Sequence, residues 1–505
     1  RFTTAVDKIV LNRFLGLPIF LFVMYLMFLL AINIGGALQP LFDVGCVALF
    51  VHGIQWIGYT LHFPDWLTIF LAQGLGGGIN TVLPLVPQIG MMYLFLSFLE
   101  DSGYMARAAF VMDRLMQALG LPGKSFVPLI VGFGCNVPSV MGARTLDAPR
   151  ERLMTIMMAP FMSCGARLAI FAVFAAAFFG QNGALAVFSL YMLGIVMAVL
   201  TGLMLKYTIM RGEATPFVME LPVYHVPHVK SLIIQTWQRL KGFVLRAGKV
   251  IIIVSIFLSA FNSFSLSGKI VDNINDSALA SVSRVITPVF KPIGVHEDNW
   301  QATVGLFTGA MAKEVVVGTL NTLYTAENIQ DEEFNPAEFN LGEELFSAVD
   351  ETWQSLKDTF SLSVLMNPIE ASKGDGELGT GAMGVMDQKF GSAAAAYSYL
   401  SFVLLYVPCI SVMGAIARES SRGWMGFSIL WGLNIAYSLA TLFYQVASYS
   451  QHPTYSLVCI LAVILFNIVV IGLLRRARSR VDIELLATRK SVSSCCAAST
   501  TGDCH

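Results

Sequence analysis

From Phe14 to Ala106 the chain contains no lysine or arginine. Inside that stretch "LGLPIFLFVMYLMFLLAINIGGAL", Leu15–Leu38, is an almost unbroken apolar run. About 20 apolar residues suffice for a helix to cross a bilayer. In lipid, only helices and closed barrels satisfy every backbone N–H and C=O. The run therefore sets the class before anything else is read. Further candidate spans follow at Leu83–Leu99, Met154–Phe179, Ala184–Leu205, Val250–Phe264, Trp300–Tyr324, Ala393–Ala417, Trp424–Val446 and Tyr455–Leu474. The expected fold is all-α, a polytopic membrane protein of about 8–10 transmembrane or re-entrant helices. Composition agrees: 13% of the 505 residues are charged, where a soluble protein has roughly 25%.

Charge placement orders the rest. Arg1, Lys8 and Arg13 precede the first span, and "RRARSR" (Arg475–Arg480) follows the last. The positive-inside bias puts both termini in the cytoplasm and accounts for the basic residues without nucleic acid. Residues 1–14 read as a linker from a preceding domain, since the chain opens at Arg1 without an initiator Met. Residues 15–205 form a first membrane half. Residues 206–249 are basic, and Ile233, Ile234, Trp237, Leu240 and Val244 recur at helical spacing; that pattern predicts an amphipathic helix at the inner surface. Residues 250–474 form a second half, interrupted by an acidic insert at 326–391 with fourteen Asp/Glu against three Lys/Arg. Such an insert reads as a solvated loop domain. Residues 475–505 are a cytoplasmic tail containing Cys495, Cys496, Cys504 and His505, a set able to hold a metal or form a redox pair.

Two apolar segments are broken in the same way. "VGFGCNVPSVMGAR" (Val131–Arg144) and "VPCISVMGAIARE" (Val407–Glu419) share the pentapeptide "SVMGA", each time after a cysteine. "GYMAR" (Gly103–Arg107) and "GAMAK" (Gly309–Lys313) precede them. Removing the acidic insert brings the two halves into register, which makes the pair an internal repeat. The halves read as inverted, their broken segments entering from opposite faces. Broken segments at corresponding places in two halves point to a transport site, where unwound backbone and side chains meet a substrate. Glycine and proline can also serve only helix crossing and kinking.

The side chains say what such a site would hold. Thiolate suits late divalent metals, and an amide oxygen can add a harder donor. Cys135, Cys409 and Asn136 are the leading candidates, followed by Cys164 in "PFMSCGAR" and Met105. Buried Cys and Met are also ordinary core residues. Glu100, Asp101, Arg167, Lys313 and Glu314 are ionisable residues in or beside apolar segments, candidates for cation handling or for pairing across the bundle. "ALGLPGKS" (Ala118–Ser125) imitates a phosphate-binding loop but lacks its first glycine and its preceding strand, so it reads as a turn between helices.

"EDSGYMARAAFVMDRLM" (Glu100–Met116), "GKSFVPLIVGFGCNVPSVMGARTL" (Gly123–Leu146), "PFMSCGARLAIF", "GAMAKEVVVGTL" and "VPCISVMGAIARE" together resemble the membrane region of the FeoB family of bacterial ferrous iron transporters, in its enterobacterial branch. The resemblance implies Fe²⁺ as substrate, an inner-membrane location, and paired "gate" motifs at 123–146 and 393–419. The gate cysteines would be Cys135 and Cys409, with Cys164 beside them. It implies GTP and Mg²⁺ bound by an N-terminal domain ahead of Arg1, small cytoplasmic Feo partner proteins and possible homo-oligomers. The second motif departs from the first, having Val407–Pro408 where Gly-x-Gly would stand. A nucleoside-type transporter and a membrane signalling or receptor subunit of a GTPase are the competing readings. No nucleophile–base pair or HExxH marks the chain as an enzyme.

Overall fold

A computed structural model describes residues 15–64, 67–68, 70–179, 182–210, 227–263, 277–311, 340–359 and 380–498, together with positions 7, 10–11, 224, 265, 316, 319–320 and 323–324. Among these residues every regular element is helical. Lys313, Glu314, Cys504 and His505 lie outside the described residues, and Cys495 and Cys496 are described by backbone alone.

The first half opens with α1 (Gly16–Ala37), continues through α2 (Gln39–Cys46) and a π turn into α3 (Gly53–Thr60), and returns through α4 (Gly77–Val82) and α5 (Leu85–Asp101). Next come α6 (Tyr104–Ala118), the two short helices α7 (Phe126–Val131) and α8 (Asn136–Gly142), then α9 (Pro149–Met158), α10 (Gly165–Phe174) and the long α11 (Gly183–Thr208). The second half begins with α12 (Val229–Ser263). It proceeds through α13 (Ala278–Ile286), α14 (Trp300–Met311), α15 (Leu341–Thr359), α16 (Thr380–Phe390) and α17 (Ala393–Leu405). It closes with α18 (Ile410–Glu419), α19 (Arg422–Ala447) and α20 (Pro453–Ala498).

Five helical stretches among the described residues are long and apolar enough to cross a membrane: Pro18–Thr60, Gly183–Thr208, Ala393–Glu419, Arg422–Ala447 and Pro453–Arg476. Their outer faces stay apolar and exposed, as at Leu185, Phe188, Leu430, Val458 and Leu465, which is what lipid-facing helices require. The main buried cluster runs from α9, α10 and α11 across to α17 and α19. Phe174, Phe390 and Tyr399 knit it together with centroid separations of 5.2–5.6 Å, the offset and edge-on spacings that aromatic quadrupoles favour.

Two expectations change in detail. The amphipathic stretch after Lys206 is not a separate helix: α12 continues from it into the apolar run beyond Val250 as one 35-residue rod. Ile233, Ile234 and Trp237 are exposed along its first part, as an interfacial face would be. The acidic insert is not wholly loop either. It contains α15, whose Ala348 is buried and which packs on α2. His52 Nδ1 sits 2.9 Å from Glu344 Oε2, joining α15 to the π turn after α2.

Candidate functional site

Three cysteines occupy equivalent places in three breaks of the bundle. Cys135 separates α7 from α8, with φ −153° and ψ 132° in extended backbone. Cys409 separates α17 from α18, with φ −62° and ψ 156°. Cys164 stands immediately before α10. Each therefore precedes the first turn of a helix, where N–H groups lack intrahelical partners. All five cysteines whose side chains are described are thiols rather than disulfides.

The first two breaks are stitched together. The N–H of Gly165 donates to the Gly134 carbonyl at 3.3 Å, which sets Cys164 beside Cys135 along the chain crossing. Asn136, 4% exposed, places one side of its amide 3.3 Å from the Met162 carbonyl; with the amide assigned so that both of its ends find partners, its nitrogen donates instead to the carbonyls of Gly132 and Ala159 at 2.9 and 3.2 Å. Arg167, 1% exposed, donates from Nη1 to the carbonyls of Pro160 and Met162 at 3.1 and 3.0 Å. The backbone acceptors opened by the breaks, expected to await a cation, are in these five cases taken by the protein itself. Glycine permits the close approach: a Cβ on Gly194 of α11 would lie 2.8 Å from the Phe161 carbonyl.

The third break joins through the gate helices. α8 packs directly on α18. Their far ends are tied by an ion pair between Arg144 and Glu419. Tyr406, at the start of the third break, is fully buried and donates its hydroxyl to the Leu306 carbonyl of α14 at 3.0 Å. Gly432 of α19 backs the same break, since a Cβ there would meet the Tyr406 carbonyl at 3.0 Å. Cys135 and Cys409 flank one and the same buried cluster.

The first gate also returns to the end it leaves. Arg150 Nη1 donates to the Gly120 carbonyl at 3.3 Å and Lys124 lies 3.7 Å from Asp147. The segment between them thus goes in and comes back, whereas Ala393–Glu419 is long enough to cross. The phosphate-loop imitation is a 3₁₀ turn at Gly123–Ser125, with the Gly123 N–H already bonded to Asp113 Oδ1 at 2.8 Å.

The remaining sequence candidates fall elsewhere. Met105 packs in a second cluster with Ile130 and Val131, under α7 rather than at a cysteine break. Glu100 pairs with Arg239 at 2.9 Å and Asp101 accepts from Gln235 at 3.4 Å, tying α5 to α12. Arg167 meets backbone carbonyls, and among the described residues no carboxylate is paired with it. Among the described residues no three His, Cys, Asp or Glu side chains converge as a closed metal cluster. Tyr406 and Gly432 were not singled out by sequence reading. The signal for Tyr406 was "LYVPC", a tyrosine three residues ahead of a cysteine inside an apolar run.

Helices that stop and restart inside a membrane bundle, in two repeated halves whose restarted helices pack together, define a polytopic membrane protein of the gate type. The Gate family, described as nucleoside recognition, matches residues 82–178 and 244–422, over half of the chain. The description "Ferrous iron transport protein B C terminus" matches residues 187–239. The chain belongs to the Gate family. It is 99% identical over all 505 residues to the Fe(2+) transporter FeoB of Escherichia coli (strain K12) and to that of Shigella flexneri, and 93% identical to that of Salmonella typhimurium (strain LT2). It spans 65% of the length of each of these relatives. No solved structure matches it.

Proposed function

We propose that this chain is the membrane part of a ferrous iron importer of the bacterial inner membrane, and that Fe²⁺ passes between its two halves along Cys135, Cys164 and Cys409. One observation carries the reading: the helices that begin at Cys135 and Cys409 pack on each other. Thiols placed one after another suit conduction, because a permeant ion must be bound firmly enough to enter and loosely enough to leave. A closed cage of three sulfurs would hold the metal instead. Asn136 serves this path by holding the first and second breaks together. The printed names of the relatives support iron over a nucleoside, as does the lining: recognition of a base and sugar asks for hydrogen-bonding side chains, and the breaks offer sulfur.

The end carrying Arg144, Arg150, Lys206 and Arg475 faces the cytoplasm in this reading, by the positive-inside bias. GTP and Mg²⁺ act through a domain ahead of Arg1, and small Feo proteins dock from the same side. The test is Fe²⁺ uptake by the full-length protein in proteoliposomes. Cys135→Ser keeps the size and removes the soft ligand, so it should cut uptake while the protein inserts normally. Wild-type uptake by that variant at limiting iron would end the metal-path reading.

A further inference from the structure

Arg107 is wholly buried, 0% exposed, and it takes no part in the three breaks. It lies one turn into α6, behind Gly103, whose φ of 81° starts the helix. Its Nε and Nη2 donate to the two carboxylate oxygens of Asp7 at 2.6 and 3.4 Å. Its Nη1 donates to the Gly103 carbonyl at 2.8 Å. The guanidinium lies over the Tyr224 ring, 3.7 Å from its centroid. One cation thus fastens Asp7, the start of α6 and Tyr224. Burial pushes the Tyr104 phenol up to about 12 and holds the Tyr224 phenol above its ordinary value, although Arg107 draws the latter down, so both stay neutral at pH 7.

The other end of α6 is fastened to the first gate. Asp113 accepts from the Gly123 N–H at 2.8 Å. A Cβ on Gly123 would stand 2.3 Å from the Ala109 carbonyl, so helix and turn are in backbone contact. Met105 and Ala108 share a buried cluster with Ile130 and Val131 of α7, the helix that leads to Cys135.

We propose that Arg107 is a positioning residue for the first gate: through α6 it makes the setting of Cys135 depend on whether the N-terminal segment is held at Asp7. The proposal builds on the reading that Cys135 lines the path. A buried ion pair is either made or lost, because stretching it leaves an uncompensated charge. Asp7 is the partner able to leave, its side chain being 20% exposed against 1% for Arg107. Lysine cannot replace the guanidinium, which uses three nitrogens and one face at once.

The experiment follows the chemistry of the thiol, not transport. Full-length protein in liposomes is treated with N-ethylmaleimide, and modification of each cysteine is timed by peptide mass spectrometry. Asp7→Asn should speed modification of Cys135 about three- to thirtyfold, the range of coupling between linked elements. Cys459 on α20 should keep its rate. Arg107→Lys should behave as Asp7→Asn does, and Asp7→Glu, which retains the charge, should return toward the wild-type rate. An unchanged Cys135 rate in Asp7→Asn overturns the proposal, and so does a parallel rise at Cys459, which would mean general loosening. Failure of the path reading shows separately, as undiminished uptake by Cys135→Ser.

Discussion

Asn136 and Arg167 divide the carbonyls of one turn between them. Asn136 takes Ala159, and Arg167 takes Pro160 and Met162. The sequence offers Asn136 as an amide donor to a metal and Arg167 for cation handling or for pairing across the bundle, whereas the contacts seen here are to backbone carbonyls. The difference is physical. An unpaired carbonyl in a membrane costs about as much as a lost buried hydrogen bond, and a broken helix makes several at once, so nearby polar side chains are drawn to them first. Gly432 is the complementary case, a residue whose role is to have no side chain. Gly432→Val would press a Cβ and two methyls onto the Tyr406 carbonyl. We expect a loss of stability of about 1–3 kcal/mol, the usual cost of overpacking, read as a lower melting temperature in detergent. An unaltered melting curve would show that α19 can move away.

At the scale of elements, the repeat was legible because "SVMGA" recurs, and in the structure the first copy spans the end of α8 and the 3₁₀ turn after it while the second lies within α18. What the pentapeptide could not reveal is the offset of the cysteines. Cys135 caps its helix four positions before Ser139, and Cys409 caps its own two positions before Ser411. In the first motif the turn carries on from α7, with the Gly134 and Cys135 N–H groups both donating to the Val131 carbonyl at 3.0 and 3.1 Å, while in the second the chain leaves α17 at Tyr406, with φ −66° and ψ −149°, and leans on Gly432. The cysteines are thus alike in helix position and unlike in repeat register. If both line one path, their contributions are not independent. Uptake by Cys135→Ser/Cys409→Ser should be little below that of the poorer single variant. Defects that multiply would assign the two thiols to separate tasks. The pair Arg144–Glu419, which ties the ends of the two gate helices, gives a second check. Glu419→Gln should alter the rate of uptake while leaving equilibrium Fe²⁺ binding within about twofold, because the pair lies at the rim and exposed pairs contribute about 0–1 kcal/mol. Loss of binding would move Glu419 into the site.

For the whole molecule, class and order of segments followed from apolar runs and charge, since a bilayer leaves few alternatives. The docking of α15 did not, because its acidic sequence carries no mark of the surface that receives it. His52 and Glu344 are far apart in the chain and meet only in the fold. The tail illustrates the same division. Deleting Ser494–His505 should spare basal uptake, measured on the truncated full-length protein, and complete loss with normal expression would contradict that. The reason lies in α20, a helix of 46 residues of which 24, Pro453–Arg476, suffice to cross the membrane. The rest extends the rod by about 33 Å at the helical rise. At physiological salt an electrostatic influence fades over about 8 Å, so the far end of this mast lies too far off to act through charge on the part that crosses the membrane. Whatever Cys495 and Cys496 do, they must do it by touch.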